Sequence, residues 1–320
     1  MSGQSPILTV TLNPALDLTT AADQVSPDRK LRCDKPSTDP GGGGINISRA
    51  IKIIGGQSTA MVALGGATGT RMAEMLKTSG LSVLRMTAPG ETRQSLAVTD
   101  RASGSQFRFV MPGPEWHMTH VSAAMTAIAE AARAGGWVVV AGSNPPGVAA
   151  GFEQMLTVRL KDGRARLMVD AEGEALRALA GSSSPVNVLR MDSREAEALC
   201  GRPLPLREDS AGFAADLVRN GAAHAVVVAR GADGSVVATR DGAWHAAAAP
   251  VDVVSTVGAG DSFVAGFLLA LARDWPMSEA LALGTAAASA AVMTPATELC
   301  HADDVRHFYS QRDVTRLTVT

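Results

Sequence analysis

Cysteine is scarce in this chain. There are three, Cys33, Cys200 and Cys300, far apart and without a CxxC pair, which excludes a disulfide framework or a thiolate metal site and suits a reducing, cytosolic setting. Aromatic residues make up only 4%, too few for the base-stacking platforms of single-stranded nucleic-acid binders. Neither sign of charge is in surplus: 29 basic residues face 31 acidic ones, a net charge of −2, and a polyanion binder needs a basic excess. No apolar run approaches the roughly 18 residues of a membrane span; the longest, 262–272, is closed off by Asp261 and Arg273. The opening string MSGQSPILTVTL lacks the basic and apolar regions of a secretory signal. The expectation is a soluble cytoplasmic protein with neither nucleic acid nor membrane as a partner. Two nucleotide motifs are also missing. There is no GxxxxGK[ST], and the first apolar run leads into Thr11-Leu12-Asn13-Pro14 rather than GxGxxG, so phosphates, if bound, are held by another device.

What is present is an alternation of two patterns. Short β-rich apolar runs at 7–12, 59–64, 137–141, 166–170, 187–190 and 225–229 are separated by Ala/Leu-rich helical segments at 46–54, 71–78, 121–133, 171–180, 194–200 and 211–220. Strands alternating with helices predict a mainly parallel sheet covered on both faces. Two stretches break the rhythm, 16–33 and 93–110, the second with a hairpin turn at Ala102-Ser103-Gly104. They predict a small separate sheet such as a lid. A further hairpin is expected over 234–246, turning at Asp241-Gly242, followed by an almost wholly helical stretch through 261–273, 277–293 and 303–309.

Glycines cluster where chemistry would want them. Four in succession, 41–44, precede Ile45 and Asn46; they permit close backbone approach and offer amides at a helix start. The sharper string is Ser255-Thr256-Val257-Gly258-Ala259-Gly260-Asp261-Ser262. Its small residues let successive N–H groups converge into an anion hole. Asp261 at that helix start could be a plain N-cap, but Gly-Ala-Gly is more than a cap requires. A carboxylate beside an anion hole can accept a proton from an attacking hydroxyl while the hole holds a phosphoryl group.

These residues resemble the PfkB (ribokinase-type) carbohydrate kinases. The likeness runs over nearly the whole chain, in TLNPALD (11–17), KLRC (30–33), PGGGGIN (40–46), FRFVMPG (107–113), GSNPPG (142–147) and STVGAGDS (255–262). It is greatest for members acting on fructose 6-phosphate: relatives acting on fructose 1-phosphate or tagatose 6-phosphate tend to carry Lys where Gly43 stands. The resemblance implies a ribokinase-like three-layer α/β sandwich over 1–320, with a discontinuous β-sheet lid formed by about 13–36 and 90–112. It implies transfer of the ATP γ-phosphoryl group to the C1 hydroxyl of fructose 6-phosphate, with Mg²⁺ and a possible K⁺, in a homodimer joined through the lid sheet. Asp261 would be the base, and the amides of Gly258, Ala259 and Gly260 the anion hole. Asp17, Gly42, Gly43, Asn46 and Ser143 would hold the sugar; Arg93, Lys30 and Arg32 would meet its 6-phosphate. Asp192, Gly231, Gly234, Thr285 and Ser289 would line the nucleotide, and Asp192 and Glu195 would serve Mg²⁺.

The chain departs from the family pattern at three places. Arg190-Met191-Asp192-Ser193-Arg194-Glu195 stands where Lys-Pro-Asn-x-x-Glu is common. Ala229 replaces a Ser, and MTPATEL (293–299) replaces an Asn-x-Gly-x-Arg-like stretch. Alternatives stay open: a tagatose-6-phosphate or fructose-1-phosphate kinase, a non-catalytic sugar-phosphate sensor, or a nucleoside kinase, for which a 6-phosphate clamp has no purpose. His301, Asp303, Asp304 and His307 read as a capped terminal helix rather than a metal site.

Overall fold

The computed structural model describes residues 3–295 and 298–319. Along the chain, β1 (Ile7–Thr11), β2 (Ala15–Ala22) and β3 (Ser37–Gly41) precede α1 (Gly43–Ile53); β4 (Thr59–Leu64), α2 (Gly66–Thr78), β5 (Ser82–Thr87), β6 (Arg93–Asp100) and β7 (Gln106–Val110) follow. Next come α3 (Met118–Ala131), β8 (Trp137–Ala141), α4 (Phe152–Asp162), β9 (Arg166–Asp170), α5 (Gly173–Ala180), β10 (Val186–Asp192), α6 (Ser193–Cys200), α7 (Arg207–Arg219) and β11 (Ala223–Ala229). The chain closes with β12 (Ser235–Thr239), β13 (Gly242–Ala246), α8 (Ala259–Ala272), α9 (Met277–Ala291), α10 (Ala302–Ser310) and β14 (Val314–Leu317).

Ten strands form one sheet in the order β14-β13-β12-β11-β10-β9-β8-β1-β4-β5. From β11 to β5 every pairing is parallel, and the β12–β14 edge is antiparallel. The parallel strands are apolar because both faces are covered. One core joins Val10, Val138, Val140 and Val226 to α3, α4 and α7; the other joins Val139, Val188 and Val227 to α1, α8 and α9. The apolar run 262–272 is therefore a helix buried on every side, and among the described residues no helix is long and apolar enough to cross a membrane. Strand order reverses between β1 and β8, the crevice where open α/β sheets bind ligands at the carboxyl ends of their strands.

The second sheet, β3-β2-β6-β7, holds the two stretches that break the rhythm, and the 93–110 hairpin turns at 101–103. The second strand of its first pair is β3, at 37–41, and 23–36 is mostly loop. Pro40 is tolerated there because β3 is an edge strand. The first helix begins at Gly43, three residues earlier than expected, so the glycine run is shared between strand, cap and helix. The stretch after 246 is less helical than expected: 247–258 is mostly irregular and β14 returns to the sheet.

Candidate active site

Helix α8 opens on Gly258 in the left-handed conformation (φ 79°), a backbone that L side chains adopt at a cost. A Cβ there would also stand 2.9 Å from Leu299 Cδ2. The first intrahelical bond runs from Ser262 N to Gly258 O at 2.9 Å, so the amides of Gly260 and Asp261 precede the ladder and are left by helix geometry to face a ligand. The positive end of the helix dipole reinforces them.

Asp261 lies in the first turn, where Asn46 Nδ2, from the first turn of α1, donates to its Oδ2 at 2.9 Å. The two residues are 215 positions apart in sequence, so the glycine run and the Gly-Ala-Gly string meet at one point. Burial pushes the Asp261 carboxyl up to about 7, and nearby Asp170 adds to the rise; the Asn46 amide and Arg190 oppose it. A base poised near neutrality is well matched to proton transfer at physiological pH. Because the Asn46 hydrogen bond favours the ionised form, Asn46→Ala moves the acid limb of the kcat/KM profile to higher pH; an unmoved limb in a pH series would detach Asn46 from the base.

Two cavities border the start of α8. One is lined by Asp17, Gly41, Asn46, Arg49, Arg108 and Gly258 among others, lying between the small sheet and the start of α8. Asp17 is raised above the usual carboxylate range by burial, against the pull of Arg93 and Arg108. Its carboxylate occupies the space that a Cβ on Gly41 would take, the physical reason for glycine at that point. The other cavity, about 750 Å³, is bordered by Arg190, Asp192, Gly231, Gly234, Ala259, Gly260, Thr285 and Ser289, large enough for a nucleotide. Among the described residues Thr285 Oγ1 is buried there without a partner, a donor in reserve for a ligand. The turn carrying Gly231 and Gly234 is braced through Asp233. Asp233 accepts from Arg207 Nε (2.8 Å) and Arg230 Nε (2.8 Å) and its carboxyl is pulled down to about 2, mainly by Arg207, while buried His245 bonds its carbonyl at 2.6 Å.

Not every expected residue converges. Arg93 spends Nε and Nη2 on Asn13 O (3.2 and 3.1 Å) and Nη1 on Met111 O (3.3 Å); it braces the small sheet, and its charge also acts on Asp17 in the cleft wall. Lys30 and Arg32 are exposed on the 23–36 loop and do not border the cleft of their own chain. Ser143 borders a neighbouring cavity and accepts from Asn13 Nδ2 at 3.3 Å. Asp192 and Glu195 form a capping box on α6: Glu195 N donates to Asp192 Oδ1 (2.8 Å) and Asp192 N to Glu195 Oε2 (2.6 Å). Glu195 does not border the nucleotide-sized cavity. Three residues that the motifs left unassigned do reach the site: Arg108, Asp170 and Arg190. Asp170 ends an apolar strand, RLMVD, and a polar residue at the carboxyl end of a parallel strand is the signal that could have found it.

A family model described as the pfkB family carbohydrate kinases matches residues 10–304. The chain belongs to that family. It is 36% identical over 307 residues to ATP-dependent 6-phosphofructokinase isozyme 2 of Mycobacterium tuberculosis, covering 96% of this chain and 90% of that protein. It is 37% identical over 305 residues to the isozyme 2 of Escherichia coli, covering 95% and 98%. A 1-phosphofructokinase of Bacillus subtilis is 29% identical over 97% of this chain and 100% of that one. Phosphofructokinase-2 from Escherichia coli, solved in complex with potassium, superposes with a TM-score of 0.90 at 37% identity, covering 96% of this chain and 99% of that chain. The same Escherichia coli protein has been solved with fructose-6-phosphate (TM-score 0.88) and in a tetrameric inhibited form (TM-score 0.88). The fold is the ribokinase-like sandwich of these structures.

Proposed function

We infer that this chain is an ATP-dependent 6-phosphofructokinase, transferring the γ-phosphoryl group to the C1 hydroxyl of fructose 6-phosphate. The observation that carries the reading is the start of α8, where Gly258 borders the cleft under the small sheet and Ala259 and Gly260 border the nucleotide-sized cavity, with Asp261 next in the chain and bonded to Asn46 on the cleft wall. The curated names of the relatives at 36–37% identity agree with it. In this reading Asp17, Asn46 and the backbone at Gly42 and Gly43 orient the sugar hydroxyls, with Ser143 at the margin. Arg108 meets the 6-phosphate, held by the small sheet that Arg93 braces. Asp261 accepts the C1 proton as the oxygen attacks phosphorus. The bond from γ-phosphorus to its bridging oxygen breaks with the electron pair leaving on ADP, and the amides at the start of α8 hold the charge in transit; of the three expected for this, Ala259 N is spent on Thr256 O at 3.4 Å, and Gly260 is joined instead by Asp261. The small sheet acts as a lid, excluding water and so limiting ATP hydrolysis.

Magnesium fits the donor set as an ion shared with phosphates and water. Asp170, Asp192, Glu195 and Asp261 crowd a single guanidinium, Arg190, an excess of negative charge that a divalent cation would neutralise. Asp192 and Glu195 each keep one carboxylate oxygen outside the capping box, and either could ligate directly or through water. Among the described residues no three acidic, His or Cys groups converge to cage an ion unaided. When bound, the ion would supply charge neutralisation for the β- and γ-phosphates. A K⁺ requirement is proposed by analogy with the potassium complex; it turns on 293–299, of which 296 and 297 lie outside the described residues. A homodimer through the lid sheet is supported by the exposed Phe107, Phe109 and Val110 on β7, and a cytoplasmic site by the need for ATP and sugar phosphate.

An acceptor panel with MgATP, read by ADP release, tests the reading. The expected kcat/KM for fructose 6-phosphate exceeds that for tagatose 6-phosphate and fructose 1-phosphate by tenfold or more. A different preferred acceptor would move the protein within its family, and no stimulation by any would favour a sensor.

A further inference from the structure

The loop after β8 brings Gly142 and Ser143 to the sugar side of the site, and it is held from several directions. A Cβ on Gly43 would stand 3.0 Å from Gly142 N, so the loop backbone touches the glycine run. Ser143 Oγ accepts from Asn13 Nδ2 at 3.3 Å, and Pro146 O from Trp116 N at 2.7 Å. A further anchor is a buried acid. Asn144 Nδ2 donates to Glu153 Oε1 at 2.9 Å, and Glu153, in the first turn of α4, is only 2% exposed. Among the described residues its Oε2 is buried without a partner. Burial holds the carboxyl above the usual carboxylate range, against the pull of the Asn144 amide. An acid in a first helical turn gains from the helix dipole at the surface too, so the start of α4 does not call for burial. A buried carboxyl with an idle oxygen costs stability. What it holds is the loop: Glu153, Asn144, Ser143 and Asp170 line one cavity of about 260 Å³.

We propose that Glu153 is a positioning residue for the acceptor: by taking the Asn144 hydrogen bond it fixes the 142–147 loop and so sets Ser143 and the Gly142 backbone for the sugar hydroxyls. The role rests on the function inferred above. Asn144 is only partly buried, so without its acceptor the amide turns to water and the loop gains freedom. The sugar phosphate must then remove that freedom when it binds. The cost is carried equally by the ground state and the transition state, so it falls on the KM of the acceptor rather than on kcat. The nucleotide-sized cavity shares none of the loop residues, and the KM for ATP stays where it is.

Glu153→Leu, Glu153→Gln, Asn144→Ala and the double variant Glu153→Leu/Asn144→Ala test the role. Steady-state kinetics with each substrate varied in turn are run beside thermal melts and calorimetric titration with fructose 6-phosphate alone. Glu153→Leu is expected to raise the KM for fructose 6-phosphate about tenfold, with kcat and the KM for ATP within about threefold of wild type. Its melting temperature should hold or rise, because a buried carboxyl with an unpaired oxygen is gone. Glutamine keeps the acceptor oxygen and should stay within about threefold of wild type throughout. Because Glu153 acts through Asn144, the double variant should be no worse than either single one. If Glu153→Leu does not fold, Asn144→Ala carries the test with the same rise in the sugar-phosphate KM. An unmoved KM for fructose 6-phosphate, additive losses in the double variant, or a glutamine variant as impaired as leucine overturns the role. Wild-type turnover of fructose 6-phosphate in the same series separates the two inferences. Its absence overturns the assigned function, and its presence with an unmoved KM in Glu153→Leu and Asn144→Ala overturns only the role of Glu153.

Discussion

Asp261→Asn lowers kcat about 10²–10⁴-fold, the range for loss of a general base, and at the same time stabilises the protein above neutral pH. The two effects have one cause. The Asp261 carboxyl is raised to about 7, chiefly by burial, so the folded state binds its proton more tightly than the unfolded chain does. Stability from such a group is fully present below the unfolded value near 3.8 and is lost as pH rises through about 7. The cost of ionising it at pH 8 is on the order of 4 kcal/mol, and Asn removes that cost while filling nearly the same volume. The Asn variant should melt several degrees higher than wild type at pH 8, with the margin shrinking to roughly a third at pH 5. Thermal melts at the two pH values check this beside the kinetics. Turnover within threefold of wild type would show that another group takes the proton.

Arg108→Gln raises the KM for fructose 6-phosphate about 10–100-fold and leaves kcat within a few-fold. A charge-assisted hydrogen bond to phosphate contributes about 1.5–3 kcal/mol, and the 6-phosphate is remote from the reacting C1 atom, so the loss falls on uniform binding. Arg108 is exposed and borders the cleft, and it helps hold Asp17 ionised, so its removal weakens two contacts to one substrate. The KM for ATP should not move. Steady-state kinetics with each substrate varied in turn check the pattern; an unchanged sugar-phosphate KM would remove Arg108 from the site.

The sequence is most legible where one principle acts alone. The apolar runs of β1, β4, β8, β9, β10 and β11 announce a parallel sheet because strands buried on both faces have no polar side. Asp241-Gly242 announces the β12–β13 hairpin through its turn chemistry. Strand β3 was hidden because Ser37, Asp39, Pro40 and Gly41 have low strand propensity and are held by pairing to β2 from Ala15↔Gly41 to Thr19↔Ser37. The early start of α1 was hidden for the same reason, since glycines start a helix only where tertiary structure places them. Within the site, Asp261 and its glycines are contiguous and were readable as a motif. Arg190 and Asp170 were not: twenty residues separate them, and only the parallel register of β9 and β10 brings them together. Arg93 and Arg108 show the limit of reading charge without geometry. Both lie on the small sheet, but backbone carbonyls engage Arg93, whereas Arg108, register-paired with Ala97, borders the cleft.

The central claim is that Asp261 directs phosphoryl transfer to the C1 oxygen of fructose 6-phosphate. Phosphorus NMR of wild-type protein incubated with MgATP and fructose 6-phosphate tests it directly. The account predicts growth of one new phosphomonoester resonance, coupled to the two C1 protons, in step with loss of the ATP γ-phosphate. Release of inorganic phosphate alone, or a new ester at any other carbon, would contradict it.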